Sequence, residues 1–186
     1  PGALPPGFSG ADISGGDRAE VKLVSKLQLA RRGFYFSSFL PNAGPLPPQV
    51  GKETTFAVVW SLINSTNDVD GLVVRSPLHS YVSWKGIWVP QEENISFNAA
   101  SGEVLWKVGL LKAGTGFLRP AREIAFQIGF IPGANQVGFS PELMGRVTAE
   151  GRDLFVEQTL NVTAPELTMQ LEDDPKIDLN QNRVVE

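Results

Sequence analysis

The residue types able to do chemistry are few and lie apart. Asn67, Asp68 and Asp70 share one corner between two apolar runs, and hard oxygen donors at such close spacing are what a calcium ion takes as ligands. The corner lacks the glycine and the distal bidentate glutamate of an EF-hand loop, so an Asx-rich turn without metal is the alternative. Glu92 with Glu93, and Glu172 with Asp173 and Asp174, group carboxylates as a glycoside hydrolase does. A solvated acidic edge, which discourages edge-to-edge aggregation, is the favoured account of them. His79 is the sole histidine and follows Pro77, which excludes a histidine-pair metal site and reads as a solvated turn residue. Gly114-Thr115-Gly116 has neither the following Lys-Ser/Thr nor the helix of a phosphate loop and reads as a turn. Among the tryptophans, Trp60 and Trp106 alternate with core-type residues and read as interior packing. Trp88, beside Pro90, is the ring that a carbohydrate could stack on, with edge packing as the alternative. Three sequons begin at Asn64, Asn94 and Asn161 and are compatible with secretion.

Composition narrows the classes further. The chain has 186 residues, 42% hydrophobic and 19% charged, with 19 Gly and 14 Pro, which fits one globular domain with many turns. It has no Cys, so disulfides, thiolate catalysis and cysteine-based zinc sites are excluded. A net charge of −4 with scattered Lys and Arg offers no footprint for a phosphate backbone, and no nucleic-acid partner is expected. No apolar run approaches the roughly 20 residues of a membrane helix.

The elements that must hold these residues read as strands. Residues 50–74 form an apolar strand, a polar corner and a second apolar strand; Phe56, Val58, Trp60 and Leu62 fall on one side, Ala57, Val59, Ser61 and Ile63 on the other. Both sides are largely apolar, which suits a central strand. Residues 20–36 read as a long strand kinked by a bulge at Gly33, with a helix over 19–32 as the alternative. Pro41, Pro45, Pro47 and Pro48 make 37–48 a crossing loop. Short strands follow at 72–76 and 81–89, then a hairpin of 94–98 with 103–108 across an Ala-Ala-Ser-Gly turn. A second core strand covers 122–132, with further strands at 142–150, 153–163 and 167–171. The expected fold is all-β: an immunoglobulin-like antiparallel β-sandwich with extra C-terminal strands and Pro/Gly-rich tails. Its expected limits are a tail or linker over 1–19, the sandwich over 20–172 and a linker over 173–186. The Pro/Gly-rich opening also reads as an excerpt of a longer protein.

Val50, Gly51 and Asn64 in the first core stretch, with Trp106, Val108, Gly109, Leu111 and Gly114 in the second, carry a family likeness. In that order they resemble the two signatures of a conserved-repeat domain of unknown function found in prokaryotic surface proteins. The likeness covers about residues 46–132 and departs from the family pattern at Ser76, Pro77, Leu78 and His79. It implies an immunoglobulin-like module, often in tandem, within adhesins, stalks or surface layers, and no catalytic residues. The expected role is therefore a non-enzymatic, extracellular, cell-surface structural or adhesive module. Its partners would be neighbouring domains or copies of the same protein; a carbohydrate- or receptor-binding module on a glycan or host surface is the rival. No cofactor is expected apart from calcium at Asn67, Asp68 and Asp70.

Overall fold

The computed structural model describes residues 23–37, 39–178 and 180–186, so the tail expected over 1–19 lies outside the described residues. The chain folds as an all-β, immunoglobulin-like antiparallel sandwich. One sheet has four strands in the order β1 (Leu27–Phe34), β2 (Thr54–Asn64), β7 (Arg122–Phe130), β4 (Val82–Val89). The other has five, β10 (Thr159–Ala164), β9 (Val147–Asp153), β3 (Val69–Pro77), β6 (Glu103–Leu111), β5 (Asn94–Asn98). The first order matches the A-B-E-D sheet of a constant-type immunoglobulin domain and β10-β9-β3 matches G-F-C, with the hairpin β5–β6 added beyond the C position. A separate two-stranded ladder joins β8 (Glu142–Met144) to β11 (Leu167–Thr168).

β2 organises the packing because both its faces are buried. Phe56, Val58, Trp60 and Leu62 point into the main core between the sheets, where Trp60 meets Phe126 edge-on at 4.9 Å. Ala57 and Val59, on the opposite face, join Leu40 and Ala125 in a second apolar cluster. The proline-rich loop supplies that cover: Gln127 Nε2 on β7 donates to Pro41 O at 2.8 Å, and Asn42 Nδ2 donates to Phe34 O and Tyr35 O. The two-sided apolar pattern of β2 thus records a sheet roofed on its outer face.

Several elements differ from expectation. β1 pairs with β2 in unbroken register from Leu27↔Asn64 to Phe34↔Ala57, with no bulge at Gly33 and no helix over the described part of 19–32. Gly33 is required instead by close approach: a Cβ there would lie 2.6 Å from Leu167 Cδ1 and 2.9 Å from Leu171 Cδ2. The strand expected over 142–150 breaks into β8 and β9, and that over 153–163 begins only at Thr159, after a turn organised by Asp153. The segment 173–186, expected as a linker, lies against the sandwich; Asp174 and Val184 are buried and Val185 N donates to Pro48 O at 2.9 Å. Among the described residues no helix is long and apolar enough to cross a membrane.

Candidate functional site

The polar corner between β2 and β3 is tied by hydrogen bonds to several separate segments. Asn64, at the end of β2, is fully buried, and its Nδ2 donates to Asn67 O at 2.7 Å, Lys112 O at 3.3 Å and Leu111 O at 3.4 Å. These bonds tie the corner to the loop after β6. Asn67 faces the opposite way, its Nδ2 donating to Leu23 O at 2.7 Å and to Asp153 Oδ2 at 2.9 Å. Asp68 accepts from Ala113 N at 2.8 Å and from Lys112 Nζ at 2.9 Å, and these two bonds hold its carboxyl below the usual range. Asp70 sits on β3 opposite Arg152 of β9. Asn67 and Asp68, expected together as calcium ligands, thus serve different loops, and the Asp68 oxygens already face two donors. Among the described residues no three His, Cys, Asp or Glu side chains gather in a metal-binding arrangement.

Asp153, which carried no sequence signal, completes the corner. It is fully buried; Oδ2 accepts from Ser25 N at 2.8 Å and from Asn67, and Oδ1 accepts from Phe155 N at 2.9 Å and Val156 N at 3.2 Å. Burial alone would raise its pKa, but the donors from Asn67, Ser25, Val156 and Phe155 outweigh it and hold the carboxyl below the usual range. Ser25 Oγ in turn accepts from Thr66 N and Asn67 N, so the stretch before β1 is fastened to the corner.

The acidic clusters are solvated at Glu92, Glu172 and Asp173 but not at Glu93 and Asp174. Glu93 is buried; its Oε2 accepts from Trp106 Nε1 at 2.8 Å and its Oε1 from Arg122 Nε at 2.9 Å, linking the loop before β5 to β6 and β7. Asp174 is buried too, and its Oδ2 accepts from Tyr35 N at 2.9 Å and Phe36 N at 2.8 Å. A charged or hydrogen-bonding partner on a distant strand decides such burial, and sequence spacing carries no trace of it. His79 is half-exposed, stacks on Tyr81 at 5.3 Å and lies 3.1 Å from Glu142. Burial, with the Glu142 charge adding to it, raises the Tyr81 pKa.

Trp88, read as a stacking platform or as edge packing, is partly buried with its indole Nε1 enclosed; it stacks with Trp84 at 6.5 Å, and Trp84 stacks on Phe97 at 6.3 Å. These rings close the sandwich between the edge strands β4 and β5. Trp60 and Trp106 are fully buried. Of the sequons, Asn64 is buried while Asn94 and Asn161 are exposed on the edge strands β5 and β10. A cavity of about 570 Å³ lies between the C-terminal segment and Ser140, lined by Gln170, Glu172, Asp174, Asp178 and Arg183.

No family model matches the chain, and no curated protein matches it. Among solved structures it is similar to a variant of BcpA, the major pilin subunit of Bacillus cereus, with TM-score 0.48 and 10% identity over 77% of this chain. It is similar also to the full-length major pilin SpaD from Corynebacterium diphtheriae, with TM-score 0.46 and 6% identity over 77% of this chain. The chain spans 40% of the first and 35% of the second. A third likeness is to the RrgA Jo.In complex, with TM-score 0.44 and 7% identity over 75% of this chain and 77% of that one.

Proposed function

We propose that the chain is a non-enzymatic structural or adhesive module of a larger extracellular surface protein, of the conserved-repeat kind that its two core stretches resemble. The observation that carries this reading is the use made of its buried carboxylates. Glu93, Asp153 and Asp174, the buried acids among the described residues, each accept hydrogen bonds from two or more separate segments. A general acid or base needs a free edge towards substrate; these have their oxygens turned to amides, an indole and a guanidinium. They act as fasteners that fix the loops at the ends of the sandwich, as a load-bearing spacer requires. The sandwich together with the C-terminal segment packed on it is the working unit, and its partners are neighbouring domains or copies of the same protein.

Antibody raised against the folded chain and applied to intact cells of the source organism is expected to label their surface. Labelling only after lysis overturns the surface role. On a glycan array the chain and its Trp88→Ala variant are expected to be equally silent, because the Trp88 indole is packed against Trp84; binding lost in the variant would instead establish the carbohydrate-binding alternative.

A further inference from the structure

The two ends of the sandwich differ in a way that defines an interaction surface. At one pole lie the start of β1 and the ends of β2, β6 and β9, since Leu27 pairs with Asn64, Val69 with Leu111 and Val69 with Asp153. At the opposite pole Val185 bridges to Gln49 and Val184 to Val137, so the described chain starts at one pole and finishes at the other.

At the first pole a polar, hydrogen-bonded corner carries exposed apolar side chains on the loops around it. The corner 65–68 holds three neighbours: Lys26 N donates to Ser65 Oγ, Gly114 N to Ser65 O at 2.7 Å, and Leu154 N to Asp68 O at 3.0 Å. Each neighbour presents uncovered hydrocarbon: Leu23 is 64% exposed, Phe117 66%, Leu118 87% and Leu154 49%. Side chains this large, carried on loops that are all hydrogen-bonded to one corner, mark a contact surface. Lys26 and Arg119 are both exposed on the same loops, and the Arg119 charge contributes to lowering the Asp68 pKa. The opposite pole carries Phe139, 67% exposed, beside the C-terminal segment, where Val184 N donates to Phe139 O. Residues 165–186 hold six acids against two bases; Asp174 is buried and Asp173 pairs with Arg31, which leaves Glu166, Glu172, Asp178 and Glu186 against Lys176 and Arg183.

We propose that the first pole docks the opposite pole of a second copy of this chain, head to tail. Apolar residues meet at the centre, and Lys26 and Arg119 face the acidic C-terminal segment. The contact is heterologous, so it propagates into a linear array along the strand direction. This deepens the surface-module reading and rests on it for its biological setting, but its test does not depend on cells.

Sedimentation velocity of the full chain up to about 1 mM is expected to show concentration-dependent association, weakened by salt. Leu118→Glu and Phe139→Glu each remove one pole and are expected to weaken self-association at least about tenfold, with thermal melts unchanged because both side chains are exposed. Mixed one to one, the two variants are expected to form a complex that stops at two chains, since each retains the pole the other lacks. A wild-type chain monomeric throughout overturns the proposal. Self-association that survives Phe139→Glu but not Leu118→Glu overturns the head-to-tail geometry in favour of a pole meeting itself. Failure here with positive surface labelling leaves the module reading intact; the reverse separates them equally.

Discussion

Asp153 shows how a single carboxylate can fix the order of several segments. Its oxygens face Ser25 N before β1, Asn67 in the β2–β3 corner and the amides of Phe155 and Val156 in its own turn. Asp153→Ala leaves these donors buried without an acceptor and is expected to cost about 3 kcal/mol, measured by urea unfolding. The pH dependence follows from its sign. The folded pKa lies below the ordinary carboxylate value, so the ionised form is the one the fold favours. Its stabilisation is present above about pH 4, the unfolded value, and is lost as pH falls through the folded pKa. Asp68 adds to the same trend in the same direction. Stability is therefore expected to drop on acidification below about pH 4, and Asp153→Asn is expected to flatten that drop. An unchanged acid slope in the variant would remove Asp153 from this role.

The strands owe their places to what covers them. β1 is an edge strand whose end, at Gly33, carries the side chains of Leu167 and Leu171 directly over the backbone. A side chain at this position competes for space with the short ladder β8–β11 rather than with β2. Gly33→Ala meets only the ends of two leucines, which can turn aside; Gly33→Val cannot be accommodated so cheaply and is expected to cost about 1–3 kcal/mol by overpacking. Guanidinium melts of the pair test this, with Val the more destabilised; equal stability would mean that β11 yields freely. β4 illustrates the opposite device. Its register against β7 shifts between Trp84 and Trp88, with Gly86 at φ 69°, and such a bulge blunts an open edge against strand addition.

The molecule as a whole is closed at its C-terminal side by the segment 173–186. Val184 is buried, Ile177 packs on the main core, and Asp174 holds the amides that follow β1. Deleting 173–186 is expected to lower stability by at least about 2 kcal/mol, from lost apolar burial and two orphaned amides; a linker would leave the thermal midpoint where it is. Calorimetry on the two lengths decides between them. The deletion also removes the acidic patch of the C-terminal pole, so it is expected to weaken head-to-tail association along with the fold.

Alternation and turn chemistry in the sequence were enough to locate β2, β7 and the β5–β6 hairpin, to bury Trp60 and Trp106 and to indicate a two-sheet sandwich, because a strand's side-chain period of two is local. Burial of both faces of β2 was legible too, though not the identity of its roof. Tertiary structure alone decided that Glu93, Asp153 and Asp174 are buried, that Asn67 and Asp68 serve different loops, that Trp88 is packed and that Gly33 makes room for Leu167. Apart from Trp88, which stacks on Trp84 four residues away, each depends on a partner from 13 to 139 residues away, as with Trp106 for Glu93 and Tyr35 for Asp174. Hydrogen bonding and close packing act through space, and a chain's local pattern holds no record of which distant residue will stand opposite.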